Sequence, residues 1–365
     1  MGKAWQLELK LPSQEAWLRV AAGGGLLENL LKWLPRDASA LFLVTSPPIW
    51  ELYGEVLFKT LRGTHLPVGK AFLPDGEAAK NLGEVANLYR GALEFGLDRQ
   101  GVLLALGGGT LLDAAGFMAS TYLRGIRSVY LPTTLLSQVD AALGGKTAVN
   151  LPHGKNLVGT FYWPEGILCD VRVLKSLPPR LFAEGMAEAI KHGLISGPPY
   201  YDIPLEARTK LLQREEESLQ ALVAGSLAIK GAIVVEDPWE KGRRRYLNVG
   251  HTVAHALEAA GGYGAFSHGE AVAMGLVAEG QLALRAGTGW TVAHQRELVE
   301  RLEAFSLPTR LPKHLLPELP RFWARDKKKH RGRLRWVLPV RPGVLQERDD
   351  LSDGEILSIL EEVAQ

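Results

Sequence analysis

The sequence predicts an α/β N-terminal domain with a mostly parallel, Rossmann-like sheet, followed by a mainly α-helical C-terminal domain. Two changes of texture and the chain length carry that expectation. In the first half, short apolar segments at 41–45, 68–73 and 102–106 alternate with helix-period stretches at 49–61, 77–95 and 111–120. Alternation of this kind builds a parallel sheet with crossover helices. From about Asp170 onward, one helical pattern follows another, at 181–194, 210–235, 251–260, 270–286, 293–304 and 353–363. Pro178-Pro179 and Gly261-Gly262 punctuate them as start and stop signals. A chain of 365 residues is long for one core. Two domains are therefore expected, 1–169 and 170–365, with a ligand in the cleft between them.

Composition narrows the function classes. Hydrophobic content of 46% and charged content of 22% are those of an ordinary globular protein. A net charge of +2 supplies no broad basic field, so no nucleic-acid partner is expected. The one basic cluster, Asp326-Lys327-Lys328-Lys329-His330-Arg331, is too short to change that. A single cysteine, Cys169, excludes an internal disulfide framework and a cysteine zinc site. The N-terminus carries Glu8 and Lys10 in a short alternating stretch, unlike a signal peptide. No unbroken apolar run has the length of a membrane span. Cytoplasmic residence without a membrane partner is the expectation.

The segment 107–164 holds three elements suited to a phosphate-bearing ligand. Gly107, Gly108 and Gly109 form a glycine loop that opens a helix. Backbone N–H groups approach an anion closely in such a loop, and the helix dipole favours negative charge. Pro132-Thr133-Thr134 then forms a polar turn leading to Asp140. Two lysine-bearing glycine loops follow, Gly144-Gly145-Lys146-Thr147 and Gly154-Lys155-Asn156. A dinucleotide fingerprint starting at Gly107 would need glycine where Leu112 stands, and a Walker A loop ending at Thr147 would need glycine where Asp140 stands. Neither motif is present.

Asn248-Val249-Gly250-His251-Thr252-Val253-Ala254-His255 puts two histidines at i, i+4 on one helix face, a spacing that suits two imidazoles on one divalent metal. His268, in Ser267-His268-Gly269-Glu270, is a third candidate. Upstream, Glu188 shares a helix face with Lys191 at i, i+3 and with His192 at i, i+4. Spacing leaves open whether His255 or His268 partners His251.

The stretches GGGTLLDAAGF, LPTTLLSQVDAALGGKTAVNLPHGKNLVGTFYWP, LPPRLFAEGMAEAIKHGLI, LNVGHTVAHALE, YGAFSHGEAVAMG and DKKKHRG resemble, in order, the 3-dehydroquinate synthases of the sugar-phosphate cyclase superfamily. The resemblance spans most of the chain. It implies a dehydroquinate synthase-like fold with an NAD-binding first domain and a metal- and substrate-binding second domain. It also implies zinc, with cobalt as the alternative, on Glu188, His251 and His268, and moves His255 to substrate contact. The implied reaction turns 3-deoxy-D-arabino-heptulosonate 7-phosphate into 3-dehydroquinate and phosphate, a step of the shikimate pathway to aromatic amino acids. NAD oxidises the C5 hydroxyl, phosphate is eliminated, the ketone is reduced again and an intramolecular aldol reaction closes the ring.

By resemblance, Lys191, Asp140 and His255 are catalytic. Lys146, Asn156, His255 and Lys328 contact phosphate and substrate, while Arg244 and Lys230, with Asn248 nearby, clamp the substrate carboxylate. A planar guanidinium suits that role. Arg124 is implied to reach the phosphate site of the neighbouring subunit in a homodimer. The implied NAD contacts are Glu77, Lys80, Gly108, Gly109, Asp113, Thr133, Thr134, Asp140, Lys146, Lys155 and Asn156. Two positions depart from the family pattern: Ser46 replaces an acidic or amide residue at the adenosine ribose, and Ala141-Ala142 replaces a serine-containing pair. Competing readings are another sugar-phosphate cyclase, an iron-type alcohol or glycerol dehydrogenase, and a regulatory nucleotide-binding module.

Overall fold

The computed structural model describes residues 3–11, 17–262, 264–323, 329–330 and 333–365. Lys328 and most of the basic cluster around it lie outside the described residues. The chain forms two compact units: Met1–Leu177 with Leu219–Gly231, and Pro178–Ser218 with Ala232–Gln365.

The first unit is built on a seven-stranded sheet in the order β1-β2-β9-β6-β5-β3-β4. The strands are β1 (Trp5–Lys10), β2 (Trp17–Gly23), β3 (Leu41–Thr45), β4 (Val68–Phe72), β5 (Val102–Gly107), β6 (Arg127–Pro132) and β9 (Gly166–Asp170), with β7 and β8 in a separate hairpin. All pairings are parallel except β1 with β2 at the edge. β3, β5 and β9 are buried at every residue, as strands covered on both faces must be, and so read as continuous apolar runs. The chain leaves β3 for β4 on one side and returns past β3 to β5 on the other. In open parallel sheets ligands bind beyond the carboxyl ends of strands at such a reversal; here those ends, of β3 and β5, lead into Ser46 and Gly107 to Gly109.

Several sequence expectations are corrected here. The helix expected over 77–95 is a 3-10 turn at Glu77–Ala79 followed by a helix at Leu82–Phe95. The break occurs because the Asn81 side chain caps the helix by accepting from Glu84 N, 3.0 Å, while Asn81 bridges to Asn150. The two lysine-bearing glycine loops are the antiparallel hairpin β7 (Lys146–Leu151) and β8 (Gly154–Phe161). A further glycine of the hairpin marks a close approach within the strand pair, since a Cβ on Gly159 would lie 2.2 Å from the Thr147 carbonyl oxygen. The sheet unit also runs past the expected boundary at 169/170. Asp170 accepts from Gly25 N, Leu27 N and Arg172 N, and Val171, Val173 and Leu174 are buried, which holds 171–177 to the sheet.

The second unit is mainly helical, with helices at Pro179–Ser196, His251–Ala260, His268–Arg285, Val292–Glu303 and Asp353–Leu360, and an antiparallel pair, Trp336–Arg341 with Val344–Arg348. The stretch expected as one helix over 210–235 is interrupted at Arg214, which has φ +59°. The long helix that follows, Glu216–Glu236, is apolar and long enough by composition to cross a membrane. Its middle belongs to the first unit, where Leu219, Leu222, Val223 and Leu227 are buried. Being apolar on all sides is how a core helix reads.

Candidate metal centre and cofactor loops

Three helices of the second unit bring Glu188, His251 and His268 together, and two glycines make that possible. A Cβ on Gly269 would lie 2.3 Å from Glu184 Cα, so the helix beginning at His268 presses directly on the backbone of the Glu188 helix. A Cβ on Gly275 would lie 1.9 Å from the Gly250 carbonyl oxygen, so the same helix presses on the start of the His251 helix. Nε2 of His251 and Nε2 of His268 each lie 3.4 Å from Glu188 Oε1. One ligand atom from each residue falls within 4.8 Å of the other two.

The other ring nitrogen of each histidine is occupied. His251 Nδ1 lies 3.2 Å from the Val249 carbonyl oxygen, and His268 Nδ1 lies 3.5 Å from Glu258 Oε2. Partners at Nδ1 fix the tautomer and aim Nε2 inward, the arrangement that metal-ligating histidines adopt. Glu188 is fully buried, and its carboxylate meets two imidazoles and the Lys191 ammonium (2.5 Å from Oε2) without a well-aligned hydrogen bond. Buried carboxylate oxygens left this way are unusual, and a divalent ion with nitrogen and oxygen ligands satisfies them. Burial alone would raise the Glu188 pKa, but Lys191 and His251 outweigh it and hold the carboxyl well below its usual value. His251 is lowered by burial and by the Lys191 charge. At His268 burial opposes protonation, but the carboxylates of Glu188 and Glu258 overcome it and raise the pKa.

His255 is outside this grouping. Its ring sits 5.5 Å from that of His251 and 6.4 Å from that of His268, on an exposed position. The i, i+4 pair suggested by spacing is thus not the set that converges.

In the first unit, the residues expected around a nucleotide form one polar network. Lys80 is buried, and its Nζ donates to Asp113 Oδ2 at 2.5 Å and to Asn156 Oδ1 at 2.6 Å. Glu77 accepts from Thr110 Oγ1 at 2.8 Å and from Asn150 Nδ2 at 2.7 Å. Asn150 Oδ1 in turn accepts from Asn156 N, 2.9 Å, which fixes Asn156 in its left-handed conformation. Burial raises the Asp113 pKa, with Lys80 opposing it. Gly109 opens the helix Gly109–Thr121, and Thr133 N donates to the Gly107 carbonyl, 3.0 Å, tying the threonine turn to the glycine loop. A Cβ on Gly108 would meet Thr134 Cγ2 at 3.2 Å. Lys155 is half-buried at the start of β8, and Lys146 is exposed at the start of β7.

Lys230 lies with Asp140 in this unit, donating to its Oδ1 and to its carbonyl oxygen, both at 2.8 Å. Arg244 and Asn248 lie in the second unit. The Arg244 guanidinium is buried and donates to the Pro238 carbonyl at 2.5 Å, and Asn248 Nδ2 donates to Glu240 Oε1 at 2.6 Å. Arg124 is exposed at φ +68°, between Leu123 at +50° and Gly125 at +120°.

Comparison with known proteins fixes the family. The N-terminal 3-dehydroquinate synthase family matches residues 70–184, and the C-terminal family of the same enzyme matches 185–329. A 3-dehydroquinate synthase of Symbiobacterium thermophilum is 43% identical over 342 residues, covering 92% of this chain and 95% of its own. The chain belongs to the 3-dehydroquinate synthase family. Among solved structures, 2-deoxy-scyllo-inosose synthase complexed with carbaglucose-6-phosphate, NAD+ and Co2+ superposes with a TM-score of 0.85 at 26% identity, covering 98% of this chain and 100% of that one. The 2-epi-5-epi-valiolone synthase of Streptomyces hygroscopicus, with NAD+ and Zn2+ bound, superposes with a TM-score of 0.86 at 26% identity, covering 98% and 99%.

In this member of the family, sequence reading missed Glu258, Asn150, Thr110 and Glu240. Glu258 carried a signal: it is the one acid in the helix His251–Ala260, two turns after His251. Asn150 and Thr110 carried none, because their partner Glu77 is remote in sequence.

Proposed function

We propose that this chain is the enzyme that converts 3-deoxy-D-arabino-heptulosonate 7-phosphate into 3-dehydroquinate and phosphate. NAD would serve as a recycled cofactor, and one zinc or cobalt ion would sit on Glu188, His251 and His268. The observation that carries the reading is the convergence of those three side chains, two Nε2 atoms and a buried carboxylate oxygen, within a chain of this family. When bound, the nicotinamide supplies reversible hydride exchange and the ion supplies Lewis acidity.

The chain's own residues do the rest. Lys191 holds an ammonium beside the triad, where negative charge on a substrate oxygen develops. The Lys80, Asp113, Glu77, Asn150 and Asn156 network fixes the loops that flank the glycine turn, and Gly108 and Gly109 offer backbone N–H groups to the pyrophosphate. Thr133 and Thr134 stand on the nicotinamide side, and Lys146, Lys155 and Asn156 offer donors to phosphate. Arg244, Lys230 and Asn248 supply the donors that a substrate carboxylate needs, which favours this substrate over the uncharged sugar phosphates of other cyclases. His255 and Asp140 face hydroxyl groups of the substrate. The active form is proposed as a cytoplasmic homodimer in which Arg124 serves the partner's phosphate site. The run of three left-handed residues that presents Arg124 supports a functional role there.

The test is redox bookkeeping. Purified protein with substrate, metal and a trace of NAD should consume many equivalents of substrate while free NADH stays flat. NADH rising in step with substrate loss would place the chain among the dehydrogenases.

A further inference from the structure

One buried carboxylate near the triad has no part in the reading above. Glu279 is fully buried on the helix that begins at His268. Its Oε2 accepts from Gly250 N at 2.6 Å and its Oε1 from Thr252 N at 3.2 Å. These are two of the N–H groups that open the His251 helix, whose capping residue, Gly250, has no side chain to satisfy them. The cap comes instead from another helix. Gly275 and Glu279 are one turn apart, so the face that presses on Gly250 also delivers the carboxylate.

The peptide joining Val249 to Gly250 is a rigid plane with its C=O at one end and its N–H at the other. Glu279 Oε2 takes the N–H, and His251 Nδ1 lies on the C=O. Glu279 therefore fixes the group against which the His251 ring is oriented, and polarises that carbonyl as an acceptor. His251 is also the first residue of its helix, where the positive end of the dipole disfavours a cation. A buried carboxylate on that end offsets it.

We propose that Glu279 is a positioning residue for the metal centre, holding His251 through the peptide between Val249 and Gly250, much as Glu258 holds His268 directly. The inference rests on the reading that Glu188, His251 and His268 bind a divalent ion. Its test is metal affinity, measured by competition with a chromophoric chelator on the full chain, for zinc, and by the visible absorption spectrum of the cobalt-loaded protein. Glu279→Gln removes the charge and turns an N–H donor toward the helix. It should weaken zinc binding about 10- to 100-fold and shift the cobalt spectrum, while far-ultraviolet circular dichroism remains that of the wild type. Glu279→Asp keeps the charge but shortens the reach, and should fall between the two. It carries the test if the glutamine variant fails to fold. Wild-type zinc affinity and an unchanged cobalt spectrum in the folded variants would overturn the proposal. A wild-type protein with no stoichiometric zinc site would overturn the metal reading itself, and this inference with it.

Discussion

Lys80→Met isolates the network beneath the glycine loop. Lys80 is 4% exposed, and its ammonium is the cation 2.5 Å from Asp113. Removing one partner of a fully buried pair costs about 3–5 kcal/mol, because the remaining charge is stranded; Asp113 is 25% exposed, so solvent screens part of that loss. Asp113 has an escape that limits the loss: it can take up a proton. For a carboxyl with an ordinary pKa of about 3.9 in the unfolded chain, protonation at pH 7 costs roughly 4 kcal/mol, and at pH 5 about 1.5 kcal/mol. Burial already raises the Asp113 pKa in the wild type, and loss of Lys80 raises it further. A raised carboxyl pKa makes the folded state bind protons more tightly than the unfolded one. The variant's deficit relative to wild type therefore grows as pH rises past the already raised wild-type value and levels off past the variant's still higher one. Urea unfolding of wild type and variant should show a deficit below about 3–5 kcal/mol at pH 7 that shrinks toward pH 5. Lys80→Met with Asp113→Asn should recover much of it. A deficit equal at both pH values, or unchanged in the double variant, would refute the reasoning.

Gly269→Ala places a methyl 2.3 Å from Glu184 Cα, so the His268 and Glu188 helices must part. The variant should lose about 1–3 kcal/mol of stability and bind zinc more weakly, both measurable by thermal unfolding with and without metal. At Asp237, burial favours the neutral form, but N–H donors from Lys241, Gly242 and Arg244 outweigh it and lower the pKa. The stability this carboxylate contributes is present above its unfolded value of about 3.8 and is lost as pH falls through the lower folded value. Asp237→Asn should flatten that acid limb in a pH series of unfolding curves. Arg244→Lys keeps the charge and removes the planar fork; kcat/KM should fall about 10- to 150-fold, matching roughly 1.5–3 kcal/mol for a charged hydrogen bond, and an unchanged value would reject the carboxylate clamp.

The legible parts of the fold were those fixed by local pattern. β3, β4 and β5 read as strands because they are short apolar runs between helix-period segments, and the helices of the second unit read from their 3.6-residue period. β1 gives a weak signal because an edge strand with charged Glu8 and Lys10 alternates too briefly to stand out. β7 and β8 read as loops because Gly144, Gly145 and Gly154 outweighed the alternation between them. At the site, helical spacing found His251 but offered His255 beside it, since periodicity sees one helix at a time. His268 reaches Glu188 through Gly269 and Gly275, whose close contacts are with residues remote in sequence. The resemblance to a family supplied what periodicity could not. The attachment of 219–231 to the sheet unit was invisible for a similar reason, because a helix apolar on all sides does not declare which unit it serves.

The central claim is that one chain carries a phosphorylated heptulosonate through elimination and ring closure without net oxidation. Its most direct test follows the phosphorus and proton NMR spectra of one sample containing the protein, zinc, a trace of NAD and 3-deoxy-D-arabino-heptulosonate 7-phosphate. Inorganic phosphate and 3-dehydroquinate should appear together in equal amounts, far in excess of the NAD supplied. Phosphate without the carbocycle, or an oxidised heptulosonate that still carries its phosphate, would contradict the account.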